Sequence, residues 1–132
     1  MREILFRAKQ HYTKEWLYGA VVKDGDEYLI TVGEPDGLYK QKMTVVEEST
    51  VGQFTGFTDK NGKKIFEGDI VLTDGMDGKL LWVSYFDDET AQFDFCPLGH
   101  EYCSTHNELY YSSKRQIIGN IHDNPELLEA KS

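Results

Sequence analysis

Residues Thr50 to Thr73 read T-V-G-Q-F-T-G-F-T-D-K-N-G-K-K-I-F-E-G-D-I-V-L-T, and their reading decides the fold. Val51, Gln53, Phe54 and Phe57 suggest a strand, with Gly52 and Gly56 inside it; a glycine within a strand marks a bulge or a close backbone approach, so the strand bends. Asp59-Lys60-Asn61-Gly62-Lys63 follows as a tight turn, because Asn61-Gly62 accepts the positive φ values that other residues resist. Ile65 and Phe66 resume the strand pattern. Glu67-Gly68-Asp69 interrupts it before Ile70-Val71-Leu72-Thr73, since a glycine between two acids suits a kink or turn and not the middle of a buried strand. The stretch is a bent hairpin leading into a buried strand, in the manner of small SH3-like barrels. Gly52, Gly56, Asn61, Gly62, Gly68 and Asp69 are its structural residues. Glu67 and Asp69 could serve as paired catalytic acids only with a partner group and a cleft, and the sequence shows neither.

Working outward, the N-terminal side is a β-rich region over residues 1–49, and residues 50–132 hold the barrel; together they form one compact unit. Glu3 to Ala8 predicts a first strand with Ile4 and Phe6 on one side and Leu5 and Arg7 on the other. Trp16 to Val22 is one aromatic and β-branched run, and Asp24-Gly25-Asp26 turns it back into Glu27 to Val32 as a hairpin. Gly33-Glu34-Pro35-Asp36-Gly37 is a loop, and Met43 to Val46 a short strand. His11 stands in no relation to a nucleophile and reads as a surface histidine.

On the C-terminal side, the turn cluster Asp74 to Gly78 precedes Lys79 to Phe86, a strongly apolar strand. Asp87-Asp88-Glu89 turns it into Gln92 to Phe95, so a second hairpin carries an acidic tip. Glu108 to Tyr111 is a short strand, and Gln116 to Ile121 is the last. Asn124-Pro125-Glu126 then reads as a helix start with Asn124 at the cap, giving one or two turns through Leu127 and Leu128.

Composition bounds the function. The 132 residues suffice to bury a core without disulfide or metal, and 13% aromatic content with 3 prolines describes a packed chain. The N-terminus lacks a signal pattern and no run reaches membrane-spanning length, so a soluble, cytoplasmic protein is expected, with Cys96 and Cys103 as free thiols. The net charge of −9 is unevenly placed: residues 65–108 hold ten acids against Lys79 alone. Such a surface repels phosphate backbones, which makes nucleic acid an unlikely partner. It either keeps the domain soluble or presents an acidic face to a basic partner. Asp87, Asp88 and Glu89, with Trp82 and Tyr85, are the candidate partner surface.

One spacing is metal-like: Cys96, His100, Cys103 and His106, or C-x3-H-x2-C-x2-H. Zinc sites usually join two separated ligand pairs by a longer spacer. Here all four fall within eleven residues, and a polar loop with incidental Cys and His is the expectation. No metal, cofactor or catalytic residue is assigned.

Thr50 to Val71 resembles the hallmark of the YopX family, small proteins of temperate phages and prophages of low-GC Gram-positive bacteria. Arg2 to Ala8 is similar to the family's opening, Trp16-Leu17-Tyr18-Gly19 to its next block, and Ile117 to Leu128 to its close. Roughly residues 74–114 match no pattern. One departure is Lys9, where members often place Trp after the Arg-Ala pair. The resemblance implies a β-rich fold with an SH3-like barrel and a tendency to form oligomers in the host cytoplasm. It implies no activity.

Two functions of different class follow. The first is a non-catalytic accessory protein that binds a host or phage protein and self-associates, favoured by the absence of any nucleophile constellation, phosphate loop or cofactor fingerprint. The alternative is a small-barrel nucleic-acid binder using Arg2, Arg7, Lys9 and Lys14 with Tyr12 and Trp16 as stacking platforms.

Overall fold

The structure is a computed structural model that describes residues 3–32, 42–75, 78–89, 91–97 and 115–129. It is mainly β, with one short helix, as the sequence leads one to expect. The chain divides into two compact units, Met1–Phe54 and Thr55–Ser132, each with its own core. The predicted loop at 33–37 and the predicted strand at 108–111 lie outside the described residues.

In the first unit, β1 (Phe6–Lys9) pairs antiparallel with β2 (Trp16–Gly19) and with the start of β6 (Gly52–Thr58), where Arg7 lies opposite Gly52. A second sheet has the order β3 (Val21–Asp24), β4 (Glu27–Val32), β5 (Lys42–Val46). The Gly25-Asp26 turn closes the predicted hairpin, with Asp24 opposite Glu27 and Gly25 at φ 64°. The run from Trp16 to Val22 is not one strand, however. It breaks at Ala20, whose carbonyl accepts from Thr31 N at 2.9 Å while its N–H donates to Thr31 Oγ1 at 3.0 Å. A Cβ at Gly19 would lie 2.5 Å from that hydroxyl, so glycine is what lets the chain cross between sheets.

Alternation decides what the first unit buries. Ala8, Ile30 and Val46 are its core, with Leu17, Val21, Tyr28 and Val51 packed around them. Thr50, in the 3-10 turn Glu48–Thr50, fastens the β1 end by accepting from Lys9 N at 2.9 Å and donating to Glu47 O at 2.7 Å.

The second unit begins as β6 bends. Gly56 takes φ 92°, and Thr55 Oγ1 donates to Ile65 O at 2.7 Å while accepting from Phe57 N at 3.1 Å, a side chain standing in for a regular ladder bond. β7 (Lys64–Phe66) neighbours β6, and a four-stranded antiparallel sheet follows in the order β10 (Gln92–Pro97), β9 (Gly78–Asp87), β8 (Asp69–Gly75), β11 (Gln116–Asn120). Its core is Ile65, Val71, Trp82 and Phe95, with Phe57 and Ile117 against them.

Two polar groups inside this unit tie distant segments together. Asp59, buried in the turn before β7, accepts from Asn61 N at 2.8 Å and Lys63 N at 2.9 Å through Oδ1, and from Ile117 N at 3.2 Å through Oδ2. Burial alone would raise its pKa, but the backbone N–H groups of Lys63, Ile117 and Asn61 outweigh it and hold the carboxyl below the usual range. Arg115, 1% exposed, lies with its guanidinium 4.5 Å from the Phe95 ring centroid and 5.2 Å from that of Phe57. Burial pushes it down to about 10, still far above neutrality, so it is a core cation held over ring faces.

Gly62 takes φ 83° in the Asp59 turn and Gly68 φ 90° before β8. Asn61 does not share the left-handed conformation expected of it; its part is the N–H it gives to Asp59. α1 (Glu126–Glu129) forms where Pro125 predicts it. The Asn124 side chain does not cap it but turns back, its Oδ1 accepting from Asn120 N at 3.2 Å; a Cβ at Gly119 would lie 2.5 Å from that oxygen.

Candidate functional site

The acidic hairpin is where the second unit shows a surface unlike a solvated loop. β9 and β10 pair Phe86 with Phe93, Tyr85 with Asp94 and Ser84 with Phe95. Period-two alternation puts Trp82, Ser84 and Phe86 on one face of β9. Ser84 donates its hydroxyl to Phe66 O at 2.6 Å, inside the core. Two residues further the same face runs past the core's edge, and Phe86 is 40% exposed. Its ring meets Phe93 edge-on, centroids 5.1 Å apart, in the T-shaped arrangement aromatic pairs prefer. Asp87, Asp88 and Glu89 follow at once, the last two exposed, with Asp87 Oδ1 accepting from Glu89 N at 3.0 Å to shape the tip.

Trp82 must be removed from the candidate partner surface. It is 6% exposed, belongs to the core cluster, and donates Nε1 to Thr73 Oγ1 at 2.7 Å. Tyr85 is half-buried on the opposite face from Phe86; burial first, then the charges of Asp94 and Asp87, pushes its phenol up. It is a neutral hydroxyl among acids. The apolar group that the tip does offer is Phe86, which strand phase could have separated from Trp82 only with knowledge of where the core ends.

Asp69 is 2% exposed and accepts from Phe66 N at 2.8 Å through Oδ2, closing the turn that Gly68 makes. Its carboxylate holds the chain reversal between β7 and β8. Gly52 is buried and Gly56 exposed, each in the bent β6.

The first unit uses its cations internally. Arg7 is 5% exposed with its guanidinium 4.5 Å from the Trp16 ring centroid, and Lys9 Nζ lies 5.4 Å from the same ring. Both distances fall within cation–π range, so the platform proposed for base stacking already carries two side-chain cations. Lys14 Nζ pairs with Glu47 Oε2 at 2.8 Å, and that hydrogen bond keeps the Glu47 carboxyl below its usual range. Tyr12 is 82% exposed, its ring edge-on to His11 at 4.9 Å. Arg2 lies outside the described residues.

A cleft of about 440 Å³ opens in this unit, lined by His11, Tyr12, Tyr28, Asp26, Glu27 and the segment Val45–Ser49. Three separate stretches of chain build it, which is why no local motif announces it. Its rim is acidic and aromatic, the same chemistry as the hairpin tip.

Of the four metal-ligand candidates, His100, Cys103 and His106 lie outside the described residues. Cys96 is disulfide-bonded, where a free thiol was expected. Among the described residues no group of three His, Cys, Asp or Glu side chains is placed to hold a metal, and no helix is long and apolar enough to cross a membrane.

A family model described as YopX protein matches residues 5–129. The chain is similar to the crystal structure of protein EF1440 from Enterococcus faecalis at 25% identity, with a TM-score of 0.59, over 97% of this chain and 99% of that one. Among curated proteins none matches. Since the family model takes in nearly the whole sequence, the chain belongs to the YopX family.

Proposed function

We propose that this protein is a non-catalytic accessory protein of a phage or prophage, which binds a basic protein partner through the tip of the β9–β10 hairpin. The observation that carries the reading is Phe86: a large aromatic side chain, 40% exposed and braced by Phe93, standing beside Asp87, Asp88 and Glu89. An apolar anchor framed by charge of one sign suits a protein interface, where the anchor supplies affinity and the charges steer and select. A non-catalytic role is supported by the use of Asp69 and Asp59 as backbone acceptors. A protein partner is preferred to nucleic acid because Arg7, Lys9 and Lys14 are engaged by Trp16 and Glu47.

Self-association belongs to the same reading, on a different surface. In the β3–β4–β5 sheet Val22 pairs with Leu29 and Leu29 with Val45, and Met43 follows two residues from Val45. These lie on the face opposite Ile30; Val22 is 46% and Met43 42% exposed. Trp82, in the apolar strand β9, packs inward and adds nothing to such a surface. The bent β6–β7 stretch and the antiparallel β8–β11 sheet support the finer description of the second unit as an SH3-like barrel.

The test places a photo-cross-linking phenylalanine analogue at position 86. With extract of host cells carrying the phage, a saturable adduct to one protein is expected, weakened by salt and by the triple variant D87N/D88N/E89Q. Adducts of the same yield with and without the tip charges would overturn the reading. Adducts of twice the chain's own mass would instead assign Phe86 to self-association.

A further inference from the structure

The one Asn-Gly step in the chain, Asn61-Gly62, is a reactive dipeptide that this fold restrains. In such a step the backbone nitrogen of Gly attacks the side-chain amide carbon of Asn. A C–N bond forms, the bond to the amide nitrogen breaks, and ammonia leaves with the proton given up by the Gly N–H. Water then opens the resulting succinimide to Asp or to isoaspartate, the latter routing the main chain through one extra carbon. Glycine is the most permissive second residue because it has no Cβ to hinder the approach.

Asn61 is exposed, so water reaches it. The attacking nitrogen, however, is committed: Gly62 N–H donates to Asp59 O at 2.9 Å. The residues on either side are fixed by the same aspartate, Asn61 N at 2.8 Å and Lys63 N at 2.9 Å from Oδ1. Freeing Gly62 N for attack means opening a turn whose carboxylate is buried and also holds Ile117 N on β11.

We infer that Asn61 is a latent deamidation site guarded by the Asp59 turn. Isoaspartate at position 61 places an extra carbon between two N–H groups that must both reach Asp59, so the turn cannot close again. The link from this turn to β11, made by Ile117 N to Asp59 and by Lys60 N to Arg115 O at 2.7 Å, is then lost. The modification acts in one direction and converts a single opening event into a permanently weakened second unit.

The experiment incubates the full chain at mildly alkaline pH and 37 °C and follows residue 61 by peptide mass mapping and enzymatic isoaspartate detection. A synthetic peptide spanning Thr58 to Ile65 sets the unrestrained rate. The folded chain is expected to convert on the order of a hundredfold more slowly, since opening surrenders charge-assisted bonds. Asp59→Ala is expected to bring the rate to within a few-fold of the peptide's. Whether or not that variant folds, the wild-type chain supplies an independent check: the slowing should match the hydrogen-exchange protection of the Gly62 amide. A folded chain that deamidates as fast as the peptide, or whose slowing falls far short of the protection factor of its Gly62 amide, overturns the inference. So does a folded Asp59→Ala that converts as slowly as wild type.

Discussion

Replacing Asp59 with Asn changes one atom type at the point where the Thr50–Thr73 stretch is tied to the last strand. The carboxylate accepts three backbone N–H groups, two on Oδ1 and one on Oδ2. Asparagine keeps one oxygen and must present an amide N–H₂ to a donor, leaving either the Lys63 and Asn61 pair or Ile117 N facing a donor in a buried setting. Hydrogen bonds to a charged group contribute roughly 1.5–3 kcal/mol each, and a buried donor left unmet costs about 1–3 kcal/mol. Partial relaxation prevents simple addition, so the expected loss is about 3 kcal/mol. Urea unfolding in a Trp16→Phe background isolates the second unit, because Trp82 is then the one tryptophan. The pH dependence has a definite sign. The folded carboxyl lies below its ordinary 3.8, so its contribution is complete above that value and disappears as pH falls through the lower folded value. The gap between wild type and Asp59→Asn should therefore close in acid. A difference below about 0.5 kcal/mol at neutral pH, the range of an ordinary surface substitution, or a gap constant down to strong acid, would refute the reasoning.

Other outcomes follow from the same structure. Phe95→Ala empties the centre of the second core and strips Arg115 of its nearer ring, at an expected cost of about 3–5 kcal/mol by urea titration. Gly68→Ala forces a Cβ at φ 90° to within 3.4 Å of Ile121 Cγ1, and calorimetry should show a loss of about 1–3 kcal/mol. Phe86→Ser should cost no more than about 0.5–1.5 kcal/mol by urea titration, the worth of the edge contact with Phe93 at a residue already 40% exposed, while abolishing pull-down of the partner first identified by cross-linking.

The sequence showed its local events well. Asp24-Gly25-Asp26 and Asp87-Asp88-Glu89 stand at hairpin tips, and Asn61-Gly62 and Gly68 at the turns they predict, because turn chemistry is written in adjacent residues. Long-range events were not legible. The break at Ala20 depends on Thr31, and the meaning of Asp59 depends on Ile117, 58 residues away. Trp82 and Phe86 look alike in sequence and share a strand face, yet one is in the core and the other outside it, because only packing shows where the core stops. The cleft beside Tyr12 is assembled from three segments whose individual residues carry no signal. Cys96 pointed to a free thiol on compartment statistics, which say nothing about the chain's own pairing.

The measurement that tests the account most directly compares two variants in one binding assay. One carries D87N/D88N/E89Q at the hairpin tip together with Phe86→Ser; the other carries Glu67→Gln in the stretch that organises the second unit. Both should match wild type in circular dichroism. The hairpin-tip reading predicts that the partner first identified by cross-linking at position 86, now measured by capture on each purified variant, is lost from the tip variant and kept by Glu67→Gln. Retention by a folded tip variant, with loss on changing Glu67, would contradict it by placing the function in the Thr50–Thr73 stretch itself.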